Sequence, residues 1–373
     1  MNKKRLLVPV LLCTIVGIVG CSKDSKMEIK PQKMETSIES QPYKDLKAEW
    51  KNMNLERYIV RAAQQIWNTW PYSNKVWPGT DYSKFNVLFV DTEGKNAWLV
   101  SQDKKISKIN AKDLPSDYKA EGVPFIFKSS KNKLNNVPTI KVELDANKFK
   151  NDYDTGEFES LPDSTMLFPF VTHEEFHRYQ DTWKVGATDQ EKLEEIGQKN
   201  FKARAQRYEI INALKKAVLE PEKQKEYLES AKWWFEEYKK DNKEEYELVK
   251  TADVLEGSGR YFDMAMNVRS VAGMNVSKKD ALKMYQDMIS KDYKLDANRF
   301  FGLPDEESYD IGGPTGILLE MKGNTSWKSE VEKGTPPLEI LLKNYKATPQ
   351  KSSSEVEKLI KDIKDNRSKQ TTN

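Results

Sequence analysis

Only two histidines occur in the 373 residues, and both stand in one pentad, His173-Glu174-Glu175-Phe176-His177. The spacing is HExxH. On an α-helix, residues four apart lie on one face a turn apart, so the two imidazoles can converge on a single metal ion. Glu174, beside the first imidazole, then stands where a general base would take a proton from metal-activated water. Zinc suits the pattern, because two neutral imidazoles and a carboxylate leave one position for water, whose pKa the metal lowers to about 7. A buried pair of core histidines would have no use for the adjacent Glu174. His173 and His177 are therefore expected as ligands of Zn2+, with Glu174 catalytic.

The pentad needs a helix, and the pattern predicts one over about 167–183. There the string Val171-Thr-His-Glu-Glu-Phe-His-Arg-Tyr179 resembles the active-site helix of the zincin metallopeptidases. Glu175 and Arg178 depart from it, being charged where that family generally carries uncharged residues. Three apart on a helix, they are expected to pair on the solvent side.

A catalytic zinc site takes a third protein ligand. No histidine remains, which excludes the metzincin arrangement and makes the ligand a carboxylate, as in the gluzincins. Glu256 is the strongest candidate. Gly257, Ser258 and Gly259 follow it, and small residues let one helix approach another closely enough for a glutamate to reach the ion. The string Leu255-Glu-Gly-Ser-Gly-Arg-Tyr261 also resembles the Glu-Gly-x-Ala-x-Tyr string that supplies the third ligand in several bacterial gluzincins, with Gly259 where Ala is usual. Its separation from His177 is long for the thermolysin arrangement but compatible with an inserted helical pair. Glu194, Glu195 and Glu209 are the alternatives.

Asp253, Asp263 and Gln180 are candidates to orient the imidazoles. With no histidine left, the donor that stabilises an oxyanion would be Tyr309, Tyr261 or Arg260. The Gly-rich stretch 309–321 lacks a phosphate-loop lysine and reads as the start of a close-packed helix. The resemblance implies a zinc-dependent metallopeptidase acting on a peptide or protein substrate. A non-catalytic envelope lipoprotein, with zinc or metal-free, that captures a ligand on a peptidase-like scaffold is the alternative.

The N-terminus carries Lys3, Lys4 and Arg5 before an apolar run over 6–20 broken by Pro9, shorter than the ~20 residues a membrane span needs. Ile18-Val-Gly-Cys21-Ser22 resembles the lipobox of bacterial lipoproteins, which implies cleavage before Cys21, lipidation of its thiol and a lipid-anchored place in the cell envelope, outside the cytoplasm. The chain holds 61 Lys+Arg against 58 Asp+Glu, and removing the signal leaves 58 of each. Such balance argues against nucleic acid as a partner. The only other cysteine, Cys13, leaves with the signal, so no disulfide can staple the body. A monomer is expected.

In chain order, 1–20 is the signal, 21–43 a polar tether, 44–160 a helix and a small β-sheet, 161–348 the helical zinc-binding part, and 349–373 a charged, partly helical tail. Helical periodicity runs over 44–70, 188–219, 222–250 and 277–289. Short β-rich runs at 85–90, 97–100, 123–127 and 139–144 predict three to five strands. The fold class expected is α+β, a small N-terminal sheet region packed on a larger, mainly helical, zincin-like domain.

Overall fold

Asn54 caps the first described helix, its side chain accepting from the Arg57 N–H at 2.9 Å. In a computed structural model of the chain, residues 32–33, 52–123, 127–146, 161, 163–186, 189–292, 304–323 and 325–370 are described. The signal, Cys21 and most of the tether lie outside them, and so do Leu46 and Trp50 of the first periodic stretch. Among the described residues no helix is long and apolar enough to cross a membrane.

The sheet has six strands: β1 (Gln32–Lys33), β2 (Asn86–Asp91), β3 (Asn96–Ser101), β4 (Lys105–Asn110), β5 (Phe127–Leu134) and β6 (Val137–Leu144). Their spatial order is β1-β4-β3-β2-β6-β5, antiparallel throughout except for the parallel pair β2 and β6, where Val87 faces Ile140. Side chains alternate between faces. Val87, Phe89, Val100, Ile140 and Val142 join the core shared with the helices, whereas Leu88, Val90, Leu99 and Ile109 pack under Leu114 and Tyr118 of the following turns. Both faces are thus covered.

The strand count exceeds the expectation, because the expected runs include neither β4 nor β1, which lies in the stretch expected as a tether. Ile106 and Ile109 are three apart and do not alternate, so β4 forms through its pairing with β3 across the turn that ends at Lys104, φ 61°. β5 begins where the expected 123–127 run ends, residues 124–126 being outside the described ones. Its Lys/Ser-rich body is held to β6 by the turn at Asn135 and Asn136, whose φ values of 51° and 66° are those of a tight hairpin.

Eleven helices follow the chain among the described residues: α1 (Leu55–Thr69), α2 (Leu167–Gln180), α3 (Gln190–Lys199), α4 (Phe201–Leu219), α5 (Gln224–Asp241), α6 (Lys243–Ala272), α7 (Lys278–Asp292), α8 (Pro304–Met321), α9 (Trp327–Val331), α10 (Pro337–Leu342) and α11 (Ser354–Gln370). The stretch expected as one helix over 188–219 is broken at Asn200, which leaves helical geometry to cap α4 by accepting from the Ala203 N–H at 3.1 Å. Asn242 leaves helical geometry between α5 and α6 within the charged stretch, its side chain donating to Gln206 Oε1 at 2.7 Å. The C-terminal segment is docked: Val356, Leu359 and Ile363 of α11 are in the core, and the Glu209 carboxylate accepts from the Ser353 N–H just ahead of it.

Two polar and aromatic devices hold α2 in register. Gln65 of α1 donates to Ser164 Oγ and to Ser270 Oγ, each at 2.8 Å, and accepts from Thr165, so it ties the start of α2 to the end of α6. Trp77 packs on Phe176, Trp183 and Trp327, clamping the other end of α2 to α9.

The Gly-rich stretch is a helix interior and not a helix start. Gly312 lies on α8 opposite Gly257 of α6, and a Cβ at Gly312 would stand 2.0 Å from the Gly257 Cα. One turn on, a Cβ at Gly316 would stand 2.3 Å from the Tyr261 ring. Here α6 and α8 meet backbone to backbone. Gly312→Ala is expected to lower the unfolding free energy by roughly 1–3 kcal/mol or more, read as a reduced urea midpoint. Gly186→Ala, which meets nothing within 4 Å, should leave that midpoint in place.

Candidate metal centre

Helix α2 presents His173 and His177 on one face, and antiparallel α6 brings Glu256 up to both. The Nε2 atoms of His173 and His177 each lie 3.3 Å from the same Glu256 oxygen, Oε2. The three ligand atoms fall within 4.8 Å of one another. Tetrahedral zinc with bonds of about 2.0–2.2 Å has ligand atoms about 3.3–3.6 Å apart. The two His–Glu separations already match that edge, so the residues fit the ion.

The outer nitrogens are engaged too. His173 Nδ1 is 2.9 Å from Asp263 Oδ2, and His177 Nδ1 is 2.6 Å from Gln180 Oε1. The Gln180 amide cannot be turned about, because its nitrogen donates to the Leu255 carbonyl at 2.7 Å and to Ser258 Oγ at 2.9 Å. With both Nδ1–H groups donating outward, each Nε2 is left facing inward and, in the neutral imidazole, carries the lone pair that metal ligation requires. Asp253, the third orienting candidate, serves elsewhere.

The local field favours positive charge. Burial by itself disfavours a charged His173, but hydrogen bonds to Asp263 and Glu256 outweigh it and raise its pKa to about 10. Glu256 is held well below the usual carboxylate range: burial opposes ionisation, and the His177 and His173 charges overcome it.

Gly259 explains a departure noted above. A Cβ there would stand 2.7 Å from His173 Cε1, so the imidazole lies directly on the α6 backbone. The other acids once open as ligands are engaged at a distance. Glu194 accepts from Gln190, Glu195 pairs with Lys199 at 2.8 Å, and Glu209 receives Ser352 and Ser353.

The two candidate tyrosines separate. Tyr309 of α8 stacks on His173, ring centroids 5.3 Å apart at 24°. Tyr261 is a core residue, wedged against Gly316, Trp77 and Trp327, with burial and the Glu320 carboxylate holding its phenol well above its ordinary pKa. It points away from the imidazole pair because five residues of helix carry it round from Glu256. Arg260 is bound to Asp263 Oδ1 at 3.1 Å. Glu174 is half-buried on α2.

Glu175 and Arg178 do pair, at 3.5 Å, but on the buried side. The Glu175 side chain is inaccessible and Arg178 lies over the Phe85 ring, so the pair faces the sheet and not solvent. Burial pushes the Glu175 pKa up to about 8 from 4.5, against the pull of Arg178.

A buried charge cluster, invisible in the sequence as anything but a charged helix, sets the heights of α6 and α8. Arg207 binds Asp253 Oδ1 at 2.8 Å and Glu307 Oε2 at 2.8 Å, while Arg204 binds Glu307 at 2.6 Å and also Glu245. Ser308 Oγ donates to Asp253 at 2.7 Å. Asp253 is one turn before Glu256, and Ser308 adjoins Tyr309, so the cluster links the ligand to the stacked phenol.

Two outcomes follow from this geometry. Arg207→Met leaves Asp253 and Glu307 buried with too little positive charge, and is expected to cost about 3–5 kcal/mol in urea unfolding. For Glu175 the folded pKa is raised, so its contribution to stability is fully present below pH 4.5 and lost as pH rises through about 8. Glu175→Gln should therefore gain stability relative to the unaltered chain as pH increases across that window. Comparison with protein-family models, with curated proteins and with solved structures finds no match for this chain.

Proposed function

We propose that the chain is a zinc-dependent metallopeptidase of gluzincin type, tethered to the cell envelope through lipid on Cys21. One observation carries the reading: two imidazoles, each oriented by an outer partner, converge with Glu256 at 3.3 Å separations beside the base-bearing position Glu174. Zinc held by His173, His177 and Glu256 would polarise a scissile carbonyl and make water acidic enough to attack near neutral pH.

The rest is the work of the chain's own groups. Glu174 accepts the proton of the attacking water and delivers it to the leaving nitrogen. Asp263 and Gln180 keep both imidazoles in the tautomer that presents Nε2. Tyr309, stacked on His173 at the edge of the site, is the donor for the developing oxyanion. The His177 and Glu256 side chains remain about a quarter exposed, which leaves a way in for substrate.

Purified soluble body should carry one zinc. Glu256→Ala should lose it, whereas Glu174→Gln should keep it and cleave a peptide library about 10²–10⁴-fold more slowly. Tyr309→Phe should lower kcat with zinc retained. Stoichiometric zinc with no cleavage by the unaltered chain would replace the peptidase reading with that of a zinc-containing binding protein; no zinc in any form would end both.

A further inference from the structure

Away from the imidazoles, the segment after α2, the turn after α9 and the first half of α6 line an open cavity of about 190 Å3. Its lining includes Lys184, Lys250, Lys333, Thr251, Val254 and Gly334, and no acidic residue. Among the described residues none of the three lysines has an ion-pair partner. Lysines elsewhere among the helices do find partners: Lys192 with Glu244 at 2.9 Å and Lys202 with Asp241 at 2.8 Å. The acid in the same turn, Glu332, is committed to Trp77 Nε1 at 2.8 Å and to the Tyr179 hydroxyl at 2.9 Å.

Three lysines lining one concavity carry like charges that repel one another unless a counter-charge sits among them. The backbone brings two of the three lysine-bearing segments together. Gly334, at φ 94°, lets the turn close against the Lys184 carbonyl, which a Cβ would meet at 3.8 Å. Thr251 adds a hydroxyl donor beside Lys250, and Val254 an apolar wall. We propose that this cavity is an anion-binding site, taking a phosphate or carboxylate group between Lys184, Lys250 and Lys333. Lys250 is six residues before Glu256 on α6, roughly 9 Å along the axis, so the anion can be a free ion or an acidic group on a longer peptide ligand.

Isothermal titration of the zinc-loaded chain tests this, first with inorganic phosphate and then with a short peptide carrying two glutamates, its glutamine counterpart as control. The expected result is saturable one-to-one binding that weakens with added salt and drops at least about tenfold in the triple variant Lys184→Gln, Lys250→Gln, Lys333→Gln. Displacement of phosphate by the glutamate peptide identifies a peptide-borne anion; phosphate binding alone identifies a mobile one. Absence of saturable binding by both, or equal binding by the triple variant with its circular dichroism unchanged, overturns the site. No turnover is needed, so this result and that of the peptidase assay are independent.

Discussion

The convergence of His173, His177 and Glu256 depends on how closely helix α6 can be approached. Two glycines leave it bare on two different sides: at Gly257 the backbone of α8 comes in at Gly312, and at Gly259 the imidazole of His173 does. A glutamate side chain is short. It reaches two histidines on α2 only because that helix lies close, and Gly259 is what lets the His173 ring rest on the α6 backbone. The ligand and the means of bringing it into reach are therefore consecutive in the chain.

Close approach alone would leave α6 free to slide. The Asp253, Arg207, Glu307 and Arg204 cluster removes that freedom, because a buried charge that loses its partner is far more costly than a lost apolar contact. Gln180 performs a finer version of the same task, reading the α6 backbone at Leu255 with one end of its amide while fixing the His177 ring with the other. Orientation of the His173, His177 and Glu256 side chains is thus set by the tertiary structure.

Much of the site was legible because its chemistry is local. The two histidines and Glu174 share one helix turn, and Glu256 announces itself by the glycines beside it. Tyr309 and Tyr261 were indistinguishable in the sequence, since their separation depends on which side of a helix crossing each falls. The Gly-rich run of α8 was read as a helix start because glycine disfavours helix interiors in isolation; packing against Gly257 and Tyr261 reverses that preference. β4 escaped notice because two isoleucines three apart carry no strand period, and Glu175 looked solvent-facing because its partner Arg178 is long enough to be buried with it.

The backbone contact of α6 with α8 has one more implication. A crossing cushioned by long side chains can hinge, as rotamers exchange and the gap widens by degrees. Where main chains abut at Gly257 and Gly312 there is nothing to compress and no intermediate spacing to occupy. Glu256 of α6 and Tyr309 of α8 are thus carried on two rods of fixed spacing, and any give around them falls to neighbouring segments.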